Sequence, residues 1–119
     1  MISKYEVPEL IEAELHQITA GLQHNNSTIK MYKSVESLTA YTKDAVLDHN
    51  FNLSRKCFSL AERLYNNGDL VIKSAIENTF IYSFSSFMPG NKIEKIILRS
   101  IIPAKLYAVY IKQVMQSGC

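Results

Sequence analysis

Residues 69–88 read DLVIKSAIENTFIYSFSSFM, and this stretch decides the fold. Eleven of its 20 residues are apolar, and only Asp69, Lys73 and Glu77 carry charge. Five apolar side chains recur at spacings of three or four, the period of one helix face; they are Ile72, Ile76, Phe80, Phe84 and Phe87. Other apolar residues cover much of the remaining circumference, which is typical of a helix packed on more than one side. We therefore predict a central buried helix over about 69–88.

The residues just before this stretch predict a helix that pairs with it. Five small or apolar residues form its stripe: Leu53, Cys57, Leu60, Ala61 and Leu64. Asn52 or Ser54 is the expected N-cap, Gly68 suits the left-handed position after the helix, and Asp69 caps the next one. So short a link predicts an antiparallel hairpin over 53–88, similar to one unit of a HEAT-type solenoid. Because no second copy recurs at a fixed period, we favour an irregular bundle.

Four further helices are predicted around this hairpin. The first runs from Pro8 to about residue 22, and the second, of the weakest propensity, from Ser27 to about Asp48. After Pro89-Gly90, Asn91 and Glu94 resemble a capping box for a short helix carrying Ile93, Ile96, Ile97 and Leu98. A last helix after Pro103 turns six residues inward: Leu106, Tyr107, Tyr110, Ile111, Val114 and Met115. Whether these last two helices are separate or one kinked helix stays open.

No segment alternates as a strand would, so the predicted fold is all-α: a compact irregular bundle of five or six helices in one domain, 1–119. The N-terminal stretch lacks the apolar core of a signal peptide, and no run of about eighteen apolar residues occurs, so we expect a cytoplasmic protein without a membrane span. Cys57 is expected to serve in the core and Cys119 to be a mobile exposed thiol, because two cysteines make no disulfide framework.

The charge is small overall but unevenly placed. The net charge of +2 does not by itself indicate nucleic-acid binding. Residues 1–50 hold four Lys against seven Asp or Glu, whereas residues 51–119 hold nine Lys or Arg against four acids. The two parts are therefore near −3 and +5, which predicts an electrostatic dipole.

No residue pattern predicts catalysis or metal binding. His16, His24 and His49 occur without an H-E-x-x-H or Glu-x-x-His motif, so they are expected to be surface or helix-end residues. Cys57 lacks the surroundings of an activated thiol, and Ser83, Ser85 and Ser86 lack a nucleophile elbow. No glycine-rich phosphate loop occurs. We therefore expect no catalytic residue, no metal, no cofactor and no enzymatic activity.

A basic face near the C-terminus is the first candidate binding site. Lys92, Lys95 and Arg99 lie at i, i+3 and i+7, and Lys105 and Lys112 repeat the seven-residue spacing. Such a face could meet phosphates, an acidic protein or an anionic lipid head group. The same pattern is also that of an ordinary solvated helix face, and no reader motif accompanies it, which makes nucleic acid an unfavoured partner.

Three tyrosines are the second candidate. Tyr82, Tyr107 and Tyr110 each have an apolar body and a polar tip, so they could line a ligand pocket between the central and the C-terminal helix. Filling of the core is the favoured interpretation of the same residues. In that case their hydroxyl groups need hydrogen-bond partners or water.

Two stretches resemble a small bacterial family of uncharacterised helical proteins. The first is LYNNGD at 64–69 with AIEN at 75–78 and FIYSF at 80–84; the second is PAKLY at 103–107 with YIKQ at 110–113 and SGC at 117–119. The family is a domain of unknown function without assigned catalytic residues. The resemblance implies a small, cytosolic, all-helical protein and transfers no site.

Three function hypotheses follow from these observations. The first is a non-enzymatic domain that binds another protein, as an adaptor or an immunity-type inhibitor does. The second is a small-molecule or lipid-like ligand held between the central and C-terminal helices. The third is nucleic-acid binding through the basic face. A homo-oligomer is compatible with each of them.

Overall fold

The computed structural model describes residues 2–15, 27–87 and 92–116. Its helices are α1 (Val7–Glu14), α2 (Ser27–Leu47), α3 (Phe51–Asn67), α4 (Leu70–Ala75), a π-helix, π1 (Ile76–Ile81), α5 (Phe84–Phe87), α6 (Lys92–Ile101) and α7 (Ala104–Gln116). In these ranges extended pairing is limited to one bridge, between Ile2 and Gly68. The prediction of an all-α bundle is confirmed. No helix in the same ranges has the length and apolar content needed to cross a membrane.

The central segment is buried along its predicted stripe, but it is not one continuous α-helix. All five stripe residues are buried, and π1 lies against α2, α3 and α7. The amide of Tyr82 donates to the carbonyl of Glu77 at 3.2 Å, which is the i→i+5 bond of a π-helix. The wider turn places residues i, i+4 and i+5 near one face. Counted from Ile76, these are Phe80 and Ile81, and both point inward.

Four phenylalanines make the centre of the core. The ring of Phe58 on α3 meets Phe80 and Phe84 edge to face, with centroids 5.7 and 5.8 Å apart. Phe87 joins the cluster at 6.3 Å from Phe58. These distances lie in the favourable range for aromatic pairs. The cluster therefore fixes α3 against the central segment as the predicted hairpin.

The central segment packs on more than one side, as predicted, but one of its sides faces solvent although apolar residues lie there. Leu70 and Val71 are exposed, and Tyr82 is 72% exposed. These side chains point away from α2, α3 and α7, the elements that pack on π1. The prediction that Tyr82 fills the core is therefore wrong.

The helix ends agree in part with the predicted caps. Asp69 caps α4, since its carboxylate accepts the amide of Ile72 at 3.0 Å. The cap of α3 is Asn50, whose side chain accepts the amide of Leu53 at 3.2 Å, rather than Asn52 or Ser54.

Gly68 was expected in the left-handed region, but its φ is −82° and its backbone is extended. Glycine is needed there because a Cβ would lie 2.5 Å from the Leu64 carbonyl oxygen and 2.6 Å from Cγ2 of Ile72. Close approach of the backbone, and not an unusual backbone angle, therefore selects this residue.

Of the two N-terminal helices, α1 differs from the prediction in length and α2 agrees with it. α1 ends at Glu14, before the predicted end near residue 22, and residues 16–26 lie outside the described ranges. α2 has the predicted bounds to within one residue. Its low-propensity Thr39 and Thr42 are buried, and their hydroxyls donate to the carbonyls of the residues four positions earlier. His49 follows the end of α2 at a positive φ of 59° and is exposed, in agreement with its predicted surface or helix-end position.

The last two helices are separate, with the break at Ile102 and Pro103. The proposed cap residue Asn91 lies outside the described ranges. On α7, Leu106 is buried as predicted, whereas Ile111 and Met115 are exposed, so their assignment to the inner face is wrong. The reason is that α7 packs mainly against π1, and Ile111 and Met115 lie outside that contact.

Candidate functional site

The basic residues of α6 lie on one exposed stripe, as their spacing predicted. Lys92, Lys95 and Arg99 are all exposed. The acid of this helix, Glu94, is turned away from them, because its carboxylate pairs with Nδ1 of His49 at 3.2 Å. The stripe therefore presents three exposed cations on one side of α6.

An exposed apolar surface lies beside this stripe, and sequence reasoning missed it. Ile93 is 68% exposed, Ile96 60% and Ile97 37%. The inward sector of α6 is occupied instead by Leu98 and Ile101. We call the six exposed residues the α6 face: Lys92, Ile93, Lys95, Ile96, Ile97 and Arg99. A signal for it is present in the sequence, since α6 carries more apolar residues than one sector of a helix can bury.

A groove separates α6 from α7 at one edge of the α6 face. It is an open space of about 400 Å³, and six residues line it: Ile96, Arg99, Ser100, Ile102, Ala104 and Tyr107. The guanidinium carbon of Arg99 lies 5.1 Å from the centroid of the Tyr107 ring, within cation–π distance. Among the ion pairs of residues 2–15, 27–87 and 92–116, none includes Arg99.

The wall of the groove is continuous with the core. Tyr107 contacts Tyr110 at 6.0 Å between ring centroids, and Tyr110 contacts Phe84 at 5.5 Å. Both tyrosines are half-buried against the core cluster. Of the three tyrosines predicted to line a pocket, Tyr107 lines this groove and Tyr110 supports it, whereas the exposed Tyr82 is not among the lining residues.

The remaining predicted cations do not line this groove. Nζ of Lys105 lies 5.9 Å from the centroid of the Tyr65 ring, so this side chain is directed toward α3. Lys112 is exposed further along α7. The structure thus brings together Lys92, Lys95 and Arg99 on α6 and places the two lysines of α7 separately.

A polar junction holds α7 in the position that forms the groove. The hydroxyl of Tyr65 donates to Oε1 of Glu77 at 2.6 Å, and Nε2 of Gln113 donates to the carbonyl of Glu77 at 2.9 Å. Burial, together with the hydrogen bond to Glu77 and the negative charge of its carboxylate, raises the pKa of Tyr65 to about 12. Glu77 in π1 therefore links α3 to α7.

The candidate metal ligands are not assembled in the described ranges. His49 is engaged with Glu94, and His16 and His24 lie outside these ranges. No group of three His, Cys, Asp or Glu side chains arranged to hold a metal occurs among the residues that the structure describes. Cys57 is buried as a free thiol, and burial raises its pKa.

Comparison with known proteins places the chain in a family. Residues 5–116 match the family described as Domain of unknown function (DUF7674), and the chain belongs to it. The resemblance to a domain of unknown function is thereby confirmed. No curated protein and no solved structure gives a significant match to the chain.

Proposed function

We propose that this member of a domain family of unknown function is a non-enzymatic protein-interaction domain, an adaptor or an immunity-type inhibitor, whose α6 face binds an acidic amphipathic helix of another protein. One observation carries the proposal: three isoleucines stand in solvent directly beside three cations on the same helix. We also propose the cytoplasm as the compartment, and the free thiol of Cys57 is compatible with a reducing environment.

The isoleucines supply the driving force. Removing an isoleucine side chain from water stabilises a complex by about 1.5–3 kcal/mol before the cost of association is subtracted. Ile93, Ile96 and Ile97 follow the spacing of three and four that one helix presents to another. A partner helix with apolar residues at the same period can therefore cover all three.

The cations determine the chemistry of the partner. Lys92, Lys95 and Arg99 border the isoleucines, so a partner with Asp or Glu at the edge of its apolar stripe gives complementary charge. A second copy of this chain is disfavoured, because stacking two α6 faces places like charges opposite each other. A nucleic acid is disfavoured because the isoleucines offer nothing to its polar backbone.

A titration followed by NMR tests the proposal directly. Two helical peptides of about 18 residues carry the same leucine pattern, one with Glu and the other with Lys beside the leucines. The ¹⁵N-labelled chain should bind the Glu peptide, with amide shifts concentrated in α6 and the first turn of α7. Ile96→Ser should weaken binding by about tenfold, whereas Leu70→Ser, an equally drastic change at an exposed site on α4, should not.

Several outcomes contradict the proposal. If the Glu and Lys peptides bind equally well, charge does not select the partner. If the amide shifts lie outside α6 and α7, the α6 face is not the binding site. Retention of the chain on anionic phospholipid vesicles or on duplex DNA, without binding of the Glu peptide, favours a membrane or nucleic-acid partner instead.

A further inference from the structure

We infer that the groove between α6 and α7 is the anchor of the docking surface. Arg99 pairs there with one Asp or Glu carboxylate of the partner helix. A leucine-sized side chain of the partner, next to that carboxylate, fills the space between Ile96 and Tyr107. This inference rests on the proposed function and adds which contact carries most of the affinity.

The position of Arg99 supports a two-point contact with a carboxylate. Its guanidinium lies at the face of the Tyr107 ring, and none of the described acids pairs with it. A cation–π contact draws on the charge of the guanidinium and leaves the N–H groups that point away from the ring available. Two parallel N–H···O bonds to one carboxylate are the strongest pairing that these groups offer.

The lining of the groove determines what sits beside that carboxylate. Ile96, Ile102, Ala104 and Tyr107 supply apolar walls around the space of about 400 Å³. The hydroxyl of Ser100 donates to the carbonyl of Ile97 at 2.6 Å, so its proton is already engaged within α6. Arg99 is therefore the charged donor at an otherwise apolar groove, which fits a carboxylate next to an aliphatic side chain.

The groove is held in shape before a partner arrives. Tyr107 contacts Tyr110, which contacts Phe84 of the buried cluster, so the ring under Arg99 is anchored in the core. A side chain that is already ordered loses little conformational entropy on binding. Binding hot spots are typically aromatic or Arg residues in such pre-formed sites, whereas Lys92 lies at the outer end of α6 and is expected to contribute less.

Affinity measurements on the full chain with the Glu peptide test the anchor. Arg99→Lys keeps the charge but cannot make two parallel N–H···O bonds to one carboxylate, so we expect affinity to fall about fivefold or more. Tyr107→Phe keeps a ring and should bind like the original chain, whereas Tyr107→Leu should bind about fivefold more weakly. Arg63→Lys, at a cation paired with Glu14 of α1, is the matched control and should change nothing.

A double-mutant cycle identifies the carboxylate. Each Glu of the peptide is replaced by Gln in turn. One replacement should cause the largest loss of affinity, and that loss should be smaller in the Arg99→Lys chain, where the charge remains but the two-point contact does not. Thermal unfolding of every variant verifies that the fold is retained.

The results separate this inference from the proposed function. If the Glu peptide binds and Ile96→Ser weakens it, but Arg99→Lys and Tyr107→Leu leave the affinity unchanged, the docking surface stands and the anchor is wrong. If each Glu→Gln replacement costs the same in both chains, the anchor is wrong as well. If the Glu peptide does not bind at all, the proposed function fails together with its anchor.

Discussion

Glu77 makes contacts with two other helices, the preceding helix α3 and the C-terminal helix α7. Its carboxylate accepts the hydroxyl of Tyr65 on α3, and its carbonyl accepts the amide of Gln113 on α7. Gln113 donates to this carbonyl within π1, where the backbone hydrogen bonds join residues five positions apart. This residue therefore couples the hairpin to the helix that forms one wall of the groove.

The Tyr65–Glu77 pair gives a pH-dependent contribution to stability. Folding raises the pKa of Tyr65 from its ordinary value near 10 to about 12. Below pH 10 the phenol is protonated in both states and the contribution is complete. As the pH rises from about 10 to about 12, the unfolded chain releases this proton first, so the contribution is lost.

Urea unfolding of the original chain and of Tyr65→Phe measures this contribution. At about pH 8 we expect Tyr65→Phe to be less stable by about 1 kcal/mol, the usual value of one hydrogen bond. The difference should shrink steadily between about pH 10 and 12. Tyr82→Phe, which removes the hydroxyl of an exposed tyrosine, is the control for loss of a phenol. A difference that grows with pH contradicts the assignment.

At the scale of elements, π1 sets which side chains of the central segment point inward. In an α-helix that continued from α4, Ile81 would lie well to the side of the Ile72–Ile76–Phe80 stripe. The π-helix instead buries Ile81 completely and leaves the next residue, Tyr82, in solvent. We therefore expect Ile81→Ala to destabilise the chain by about 2–5 kcal/mol, as a core truncation does.

Tyr82→Ala is the matched comparison, because it removes a larger side chain one position away. Its cost should stay within about 0.5 kcal/mol, the range of surface substitutions. Both values come from chemical denaturation followed by circular dichroism. Similar costs for the two variants, or a larger cost for Tyr82→Ala, would show that π1 does not have this register.

The same elements show what the sequence can and cannot predict. The spacing of Ile72, Phe80 and Phe84 was sufficient to predict the buried stripe. Residues three or four positions apart lie on one face of a helix, whichever elements pack against that face. The single-residue widening at π1 leaves no periodic signal, so the break in the helix was missed. On α6 the spacing of the cations was sufficient to predict the basic stripe. The apolar residues of this helix occupy two sectors, and spacing does not tell which sector is buried. Contact of α6 with α3 decides that Leu98 is buried and Ile96 is not.

At the scale of the whole molecule, the proposed docking surface lies in the positively charged part of the chain. Residues 1–50 carry a net charge near −3 and residues 51–119 near +5, and the α6 face belongs to the positive part. A charge distribution of this kind steers an oppositely charged partner before any contact forms. For the proposed complex we expect steering to act on the association rate, and the contacts of the isoleucines and Arg99 to determine the dissociation rate.

Salt therefore separates the two contributions to binding of the Glu peptide. Between about 0.02 and 0.5 M salt the Debye length falls below the separation of exposed charges, so the association rate should decrease steeply while the dissociation rate changes little. Stopped-flow fluorescence measures both rates. Replacing Lys92 and Lys95 by Gln should flatten the salt dependence of association, and Lys43→Gln, a loss of charge in the acidic part of the chain, should not. If salt acted mainly on the dissociation rate, the cations would hold the partner in the complex and not steer it. The assignment of association to the cations of α6, and of dissociation to the groove, would then be wrong.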